Sequence, residues 1–299
     1  MTKQRIGWIG TGVMGASMGG HLLAAGHHLT VYNRSRDKAQ SLMEKGAVWA
    51  STPKAVAKQS DIIFTMVGFP DDVREVILSN NGVLAGASSN AVVVDMTTSS
   101  PDLARTISIQ CAQKGVSALD APVSGGDVGA REATLAIMVG GDPLVFESVR
   151  PLFEIMGQTI ALMGGAGAGQ HTKMTNQILI AGTMIGVVES LLYAEKAGMD
   201  THQVIDIIGK GAASSWSINN LGRRIADNDF NPGFFIKHFV KDMGIALDEA
   251  RRMQLSLPGL ALVHQFYTAA MAMGWENLGT QGLFQVLKAI NRPNISVNG

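Results

Sequence analysis

Three glycines near the N-terminus constrain the fold of this chain more than any other feature. In RIGWIGTGVMGASM an apolar run of strand character leads into Gly10, Gly12 and Gly15, and a helical pattern follows. The first glycine permits a tight turn, the second lets a ligand approach the backbone, and the third lets helix and strand pack closely. This context predicts a Rossmann-type domain that binds a dinucleotide at the helix N-terminus, with Val13 and Met14 beside it.

Short apolar runs alternate with helical patterns through the first half of the chain. The runs that read as buried strands are RIGWIG, LTVYN, DIIFTMV, AVVVDM and VSALDAP, and LAIMVGG and QTIAL are candidates for two more at the far edge. Strand–helix alternation of this kind predicts a mostly parallel sheet with helices on both faces.

The pattern changes near residue 164. From Gln170 to Ala197 the sequence has no proline and predicts one long helix, beyond which only helical patterns follow. The chain has 299 residues, enough for two domains. The predicted fold is an α/β Rossmann domain over residues 1–164, a long interdomain helix, and an all-α substrate and oligomerisation domain over residues 165–299.

Composition excludes several classes of protein. Lys+Arg and Asp+Glu both number 24, so the chain lacks the basic excess of a nucleic-acid binder.

The single cysteine, Cys111, cannot form an intrachain disulfide, which favours a cytoplasmic protein, and we expect it to be a small buried residue. The apolar run 178–188 is too short to span a bilayer, so no membrane partner is expected. No His, Cys, Asp and Glu cluster has metal-ligand spacing, which predicts a metal-free reaction.

The end of the second strand bears on the choice of cofactor. It reads VYNRSR, with Asn33 at the position where NAD sites place an acidic residue, followed by Arg34 and Ser35. An arginine can bind a 2′-phosphate, and no carboxylate is present to repel it. These residues predict NADP in preference to NAD. The alternative is that Arg34 and Arg36 are ordinary loop charges.

Two further strand ends are expected on the nicotinamide side of the site. They are MVGFP (66–70) and DMTTSSP (95–101), where Val67 and Thr98 are the predicted cofactor contacts. The alternative role for the hydroxyls of the second segment, Ser99 included, is to cap the helix that follows.

The segment DAPVSGG (120–126) ends another predicted strand. Ser124 offers a hydroxyl, and Gly125 and Gly126 leave backbone N–H groups open to an anion. Such a cluster suits a small carboxylate, although on its own it also fits a simple turn.

Lys173 follows a glycine-rich joint in GGAGAGQHTKMTNQ (164–177). A cationic lysine beside a carbonyl that receives a hydride would stabilise the growing charge on oxygen and donate the proton. In the oxidative direction a neutral lysine would accept the proton, which requires a pKa below that of free lysine. His171 points to another helix face, so we expect it to have a packing role.

Taken together, these segments resemble the β-hydroxyacid dehydrogenase family, which includes 3-hydroxyisobutyrate dehydrogenase, tartronate semialdehyde reductase and the glyoxylate/succinic semialdehyde reductases. G-x-G-x-M-G, DAPVSGG, GAGQHTKMTNQ and KDMGIALDEA occur in the family's order, over residues 5 to about 290. The resemblance implies that Lys173 is the catalytic acid/base and that the Ser124 segment binds the substrate carboxylate. It also implies that Thr98 touches the cofactor and Lys241 lies near the nicotinamide.

One position departs from the family pattern. Many members carry asparagine four residues after the catalytic lysine, whereas here Gln177 stands there and Asn176 precedes it. Both share a helix face with Lys173, so either amide is expected to contact substrate. Trp216 is a further candidate for the substrate site, and its alternative is a core or subunit-contact aromatic.

The expected function is therefore NAD(P)-dependent interconversion of a small β-hydroxyacid or 2-hydroxyacid and its semialdehyde or keto acid, in a homodimer or homotetramer. A 6-phosphogluconate-type dehydrogenase is the alternative enzyme, suggested by SGGDVGAR, although the helical half is short for that group. Imine reductases usually lack the lysine. A non-catalytic NADP-binding scaffold is the alternative of a different class, and such relatives typically lose the lysine or the glycine motif.

Overall fold

The chain forms two compact units that meet in sequence at Lys173 and Met174. The computed structural model describes residues 3–291, so residues 1–2 and 292–299 of the two predicted domains lie outside the described part. The predicted boundary at residue 164 falls before this division and stays a prediction.

A nine-stranded sheet forms the centre of the first unit. Its path runs β3-β2-β1-β4-β5-β6-β8-β7, and β9 also pairs with β8. Pairing is parallel except where β6 and β7 meet β8. The strands are β1 (Arg5–Ile9), β2 (His28–Tyr32), β3 (Val48–Trp49), β4 (Ile62–Thr65), β5 (Val92–Asp95), β6 (Ser117–Asp120), β7 (Val123–Ser124), β8 (Leu135–Gly140) and β9 (Gly157–Gly164).

Helices connect these strands and cover the sheet. They are α1 (Val13–Ala24), α2 (Gln40–Glu44), α3 (Pro53–Ala57), α4 (Pro70–Leu78), α5 (Pro101–Ala112), α6 (Gly126–Glu132) and α7 (Pro143–Phe153), with 3-10 turns at Arg36–Ala39 and Val83–Ala85. Four of the helices begin with proline, whose fixed φ suits the first helical turn. Thr52, Ser100 and Asp142 cap α3, α5 and α7 by accepting backbone N–H groups.

Two apolar clusters fill the first unit. Along β1, Ile6 and Trp8 belong to one cluster and Ile9 to the other. This division follows from the alternation of side chains across a strand, and it explains why the strands read as continuous apolar runs rather than alternating ones. Cys111 is buried in the second cluster, as expected, and burial raises the pKa of its thiol to about 11.

The second unit is helical. Its helices are most of α8 (Ala168–Lys196), α9 (Thr201–Ile208), α10 (Arg223–Ala226), α11 (Ile236–Arg252), α12 (Pro258–Ala272) and α13 (Leu283–Ile290), with a π-helical stretch at Ser217–Gly222 and a 3-10 turn at Thr280–Gly282. A single isolated bridge pairs Phe235 with Gly279 in the described part of this unit. The predicted fold class, a Rossmann-type α/β domain followed by a helical region, is confirmed.

Helix α8 is the long helix that the sequence predicts. At about 1.5 Å per residue it extends about 40 Å. In residues 3–291 it is the one helix whose length and hydropathy would allow a membrane span, with 39% of the apolar stretch buried. The run 178–188 is thus only part of a longer apolar helix. Its Met184, Val188 and Leu191 pack into the core of the second unit.

Candidate active site

Two of the three glycines in the N-terminal turn are required by the protein's own packing. Gly10 has a positive φ of 97°, and its N–H donates to the Tyr32 carbonyl over 2.9 Å. A Cβ at Gly10 would clash with the carbonyl of Met66, and one at Gly15 would clash with the carbonyl of Gly10. These contacts hold the turn tightly between β1 and α1.

Gly12 differs from its neighbours in the turn. It precedes the first residue of α1 and has an ordinary φ of −70°, and an added Cβ would meet no described atom within 4 Å beyond its own helix and chain neighbours. Thr11 beside it is buried, and its hydroxyl has no hydrogen-bond partner among the described residues. Open space and an unsatisfied hydroxyl at a helix N-terminus fit the pyrophosphate of a dinucleotide. The predicted contacts Val13 and Met14 form the first turn of α1.

Asn33 braces the glycine turn from the end of β2. Its Oδ1 accepts the N–H of Thr11 over 3.0 Å, and its Nδ2 donates to the carbonyl of Ser35 over 2.9 Å. An aspartate could accept the same Thr11 bond. The sequence did not reveal this bracing role, which depends on contact across the turn.

Arg34 lies at the surface. Its side chain is 87% exposed, and its Nη1 lies 3.4 Å from Asp72 Oδ1. Such a long, solvated ion pair contributes little stability, so Arg34 can turn toward another anion at low cost. The guanidinium of Arg36 instead lies over the ring of Trp49, 5.7 Å from its centroid.

The loops after β4 and β5 are tied together at Thr97. The hydroxyl of Thr97 accepts the N–H of Val67 over 3.0 Å. Its own N–H donates to Asp95 Oδ1 over 3.1 Å, and Thr65 donates its hydroxyl to the same oxygen over 2.7 Å. The two predicted nicotinamide-side segments are therefore joined by hydrogen bonds. Thr98 follows, half-buried.

Within the segment DMTTSSP, the capping role belongs to Ser100 and not to Ser99. The cap of α5 is Ser100, whose hydroxyl accepts the N–H of Leu103 over 3.0 Å. Thr97 serves the loop instead, and the hydroxyl of Ser99 is buried without a hydrogen-bond partner in the described part of the chain. Pro101 occupies the first position of the helix.

The Ser-Gly-Gly segment lies between the short strand β7 and helix α6. Ser124 is half-buried, and Gly125 and Gly126 have positive φ values of 131° and 64°. Side chains at these two positions would strain the backbone, so glycine is needed for the turn itself. No side chain caps the N-terminus of α6, because its N-cap residue is Gly125.

Lys173 lies in the first turns of α8, with only 6% of its surface exposed. The start of this helix is bonded to Asp120, the last residue of β6. Asp120 Oδ1 accepts the N–H of Gly167 over 2.7 Å, and Oδ2 accepts that of Gln170 over 2.8 Å. A carboxylate at a helix N-terminus satisfies free N–H groups and complements the helix dipole.

Gln170 adds a second attachment for the same turn. Its Oε1 accepts the N–H of Ser99 over 2.9 Å, and its Nε2 donates to the Thr97 carbonyl over 2.8 Å. Gln170 is fully buried. The turn that carries Lys173 is therefore bonded both to β6 and to the loop after β5.

Three residues that organise the site, Asp95, Asp120 and Gln170, were not predicted. Each lies inside a segment that the sequence singles out, namely DMTTSSP, DAPVSGG or GAGQHTK. The available signal was a carboxylate at the end of a buried strand, a costly placement unless it accepts several hydrogen bonds. Burial raises the pKa of Asp95 to about 6 and also raises the pKa of Asp120.

Within the second unit, Gln177 is bonded at both ends of its side chain. Its Nε2 donates to Asp242 Oδ2 over 2.6 Å, and its Oε1 accepts Asn176 Nδ2 over 2.7 Å. Lys241 Nζ lies 3.1 Å from the other oxygen of Asp242. Gln177 is only 2% exposed, whereas Asn176 is half-buried.

Trp216 and His171 are the remaining candidates from the sequence. Trp216 is 67% exposed, immediately before the π-helical stretch. The Nε2 atom of His171 lies 3.4 Å from Arg105 Nη1, and the packing role expected for His171 stays a prediction. Residues 3–291 contain no group of three His, Cys, Asp or Glu side chains arranged to hold a metal ion.

Two protein-family models match this chain, one after the other. Residues 5–165 match the family model of the NAD binding domain of 6-phosphogluconate dehydrogenase. Residues 167–287 match that described as NAD-binding of NADP-dependent 3-hydroxyisobutyrate dehydrogenase. Together the two models cover almost the whole chain.

Individual relatives extend along nearly the full length. The Arabidopsis thaliana protein named "Probable 3-hydroxyisobutyrate dehydrogenase-like 1, mitochondrial" is 51% identical over 297 residues, covering 99% of this chain and 88% of its own. The 2-hydroxy-3-oxopropionate reductase of Escherichia coli is 41% identical over 284 residues, covering 95% and 97%. The solved structure of Mycobacterium tuberculosis 3-hydroxyisobutyrate dehydrogenase with L-serine has a TM-score of 0.87 and 30% identity, covering 96% of this chain and 100% of its own.

The glycine turn, the strand ends beside it and the full-length matches agree with one another. The chain belongs to the β-hydroxyacid dehydrogenase family, as an NAD(P)-binding dehydrogenase or reductase that acts on a CH–OH group.

Proposed function

We propose that this protein interconverts a small, carboxylate-bearing hydroxyacid and its semialdehyde or keto acid, with Lys173 as the general acid/base. The observation that carries the proposal is the pair of hydrogen bonds from Gly167 and Gln170 to Asp120. They join the strand that leads into the Ser124 segment to the helical turn that carries Lys173. The segment proposed to bind the substrate carboxylate and the turn with the proposed acid/base are thus both attached to the buried Asp120.

Lys173 has two tasks in this proposal. Bound NAD(P)H supplies the hydride for reduction. The lysine ammonium stabilises the negative charge on the substrate oxygen and gives that oxygen a proton, and in oxidation the neutral amine takes the hydroxyl proton. Its low exposure favours this role, because electrostatic stabilisation is stronger where water is excluded.

The substrate carboxylate is assigned to Ser124, Gly125 and Gly126. The positive φ values of the two glycines turn the backbone at the start of α6, where N–H groups can point at an anion. The Ser124 hydroxyl adds one further donor.

The cofactor is assigned to the ends of β1, β2, β4 and β5. Gly12 leaves room for the pyrophosphate, and Val67 and Thr98 flank the nicotinamide. Asn33, Arg34 and Ser35 follow β2, where Arg34 would bind a 2′-phosphate, so NADP is the preferred cofactor. Lys241 near the nicotinamide and Asn176, Gln177 and Trp216 at the substrate are assignments that rest on the family resemblance.

The relatives narrow the class of substrate. The Escherichia coli relative is named for 2-hydroxy-3-oxopropionate. The Mycobacterium tuberculosis structure is named for 3-hydroxyisobutyrate and was solved with L-serine. All three molecules are short carboxylates with a hydroxyl or aldehyde at the carbon β to the carboxylate. We infer that this chain acts on a compound of the same class, in the cytoplasm and as a homodimer or homotetramer.

The test is a substrate panel combined with a lysine replacement. NADPH oxidation is followed with tartronate semialdehyde, succinic semialdehyde, glyoxylate and methylmalonate semialdehyde, and NADP⁺ reduction with 3-hydroxyisobutyrate and 6-phosphogluconate. We expect turnover of at least one small semialdehyde or hydroxyacid. Turnover of 6-phosphogluconate alone would favour the alternative enzyme, and tight NADPH binding without any turnover would favour a scaffold.

Lys173→Ala should lower kcat by about a hundredfold or more while dinucleotide binding persists, because the proton donor is lost. Lys196→Ala is the matched control, since it removes an exposed lysine from the last turn of the same helix. Near-normal turnover in Lys173→Ala would remove the lysine from the mechanism.

A further inference from the structure

Gln170 is a buried amide whose hydrogen bonds are directed at backbone groups. It is 0% exposed, and both ends of its side chain bond the loop after β5, at Ser99 N and Thr97 O. Its own N–H is bound by Asp120. A side chain held in this way cannot reach a substrate, so any effect on chemistry must pass through the residues that it holds.

Lys173 lies three residues after Gln170 in α8. Positions i and i+3 share one face of a helix, so Lys173 leaves α8 from the face that Gln170 attaches to the loop after β5. Asp120 holds the start of α8 through two backbone N–H groups, and Gln170 holds the same turn through two side-chain bonds.

The partner of this attachment is itself tied to the predicted cofactor segments. Thr97 accepts Gln170 Nε2 on its carbonyl and the Val67 N–H on its hydroxyl, and it donates its own N–H to Asp95 Oδ1. Val67 precedes the start of α4, and Thr98 follows Thr97 directly. A continuous series of hydrogen bonds therefore runs from the turn of Lys173 to the loops after β4 and β5.

We propose that Gln170, together with Asp120, is a positioning residue that aligns Lys173 with the nicotinamide-side loops. The inference rests on the proposed catalytic role of Lys173. A displacement of about 1 Å in a reacting group can cost about a hundredfold in rate, so loss of this attachment should be visible in turnover before it is visible in binding.

Gln170→Met tests the proposal, since methionine has a similar length and fills the buried site without either hydrogen bond. We expect kcat to fall about tenfold to a hundredfold, with the Kd for NADPH, measured by fluorescence, changed less than threefold. Amide hydrogen exchange in the peptide spanning 164–178 should become faster in the variant. Gln281→Met is the matched control, because Gln281 is also a buried amide that bonds loop carbonyls, those of Asp229 and Asn231, but in the second unit. It should keep kcat within about twofold even where its Tm falls.

A double-mutant cycle separates alignment from general destabilisation. In a Lys173→Ala background, Gln170→Met should lower the residual kcat by less than twofold, because no lysine is left to align. An equal loss in both backgrounds would overturn the proposal, as would an unchanged kcat in the single variant. If Lys173→Ala itself keeps near-normal turnover, the proposed function fails first. If it abolishes turnover while Gln170→Met does not lower kcat, only the positioning role fails.

Discussion

Asp95 and Asp120 are paired residues at the ends of neighbouring parallel strands, and both carboxyl groups are buried. Each carboxyl group accepts hydrogen bonds from a loop or a helix start: Asp95 from Thr65 and Thr97, and Asp120 from the start of α8. The charge of Asp120 contributes to the raised pKa of Asp95, after burial as the main cause. Ionising these two buried carboxyl groups at neutral pH therefore costs free energy of folding.

Asp95→Asn should remove part of that cost. The pKa of Asp95 is about 6 in the folded protein, whereas the ordinary pKa of the group is 3.8. The protonated carboxyl group therefore contributes its full share of folding stability below pH 3.8, and this share is lost as the pH rises through 6. The loss is worth about 3 kcal/mol for a shift of about two units. Asparagine keeps an acceptor for Thr65 and Thr97. The Tm of the variant minus that of the wild type should therefore increase between pH 4.5 and pH 7.5, and a difference independent of pH would contradict the explanation.

Gly12→Ala and Gly15→Ala should separate ligand space from protein packing. At Gly12 the new methyl meets no described atom beyond its own helix and neighbours, so the Tm without cofactor should stay within about 2 °C of the wild type, whereas NADPH binding should weaken about tenfold or more. At Gly15 the methyl clashes with the Gly10 carbonyl, and overpacking should cost about 1–3 kcal/mol of stability. Calorimetry and fluorescence titration measure the two effects. Equal loss of stability in both variants would mean that the space at Gly12 is not reserved for a ligand.

Asn33→Asp should shift cofactor preference with little change in fold. Aspartate can still accept the Thr11 N–H, while its charge would repel a 2′-phosphate and bind a ribose 2′-OH. We expect kcat/KM for NADPH to fall about tenfold or more and that for NADH to hold or rise. Arg34→Ala should also lower the NADPH value, because a charge-assisted bond is worth about 1.5–3 kcal/mol. Arg36→Ala is the control, since Arg36 lies over Trp49. A wild-type preference for NADH would refute the NADP assignment.

Gln177→Met should act mainly on stability. It removes the donor to Asp242 Oδ2 and the acceptor for Asn176, and an unsatisfied buried group costs about 1–3 kcal/mol. Asn176→Ala, at a half-buried position, should lower Tm less and raise the substrate KM more. Thermal unfolding and steady-state kinetics on both variants check this division. A larger KM effect from Gln177→Met, at equal stability, would assign the substrate contact to Gln177 instead.

The sequence was informative where one local pattern decides the structure. The glycine turn, the five main strands and the helix that starts near Gln170 were all predictable, because backbone sterics and periodicity fix them. The two-residue strands β3 and β7 were not, since they exist only through pairing with β2 and β8. The attachment of Gln170 to Thr97 also escaped prediction, because its two ends are 73 positions apart and polar residues in a loop give no sign of their partners.

The buried ring of Trp8 restricts the size of the residues at positions 15 and 19. Its ring is fully buried, its indole N–H donates to the Gly10 carbonyl over 2.9 Å, and a methyl at Gly19 would press within 3.2 Å of the ring. The tryptophan thus occupies volume that side chains at positions 15 and 19 would otherwise use. Across relatives of this chain, positions 8 and 19 should therefore covary in size, with a smaller residue at 8 wherever 19 carries a side chain larger than glycine's hydrogen.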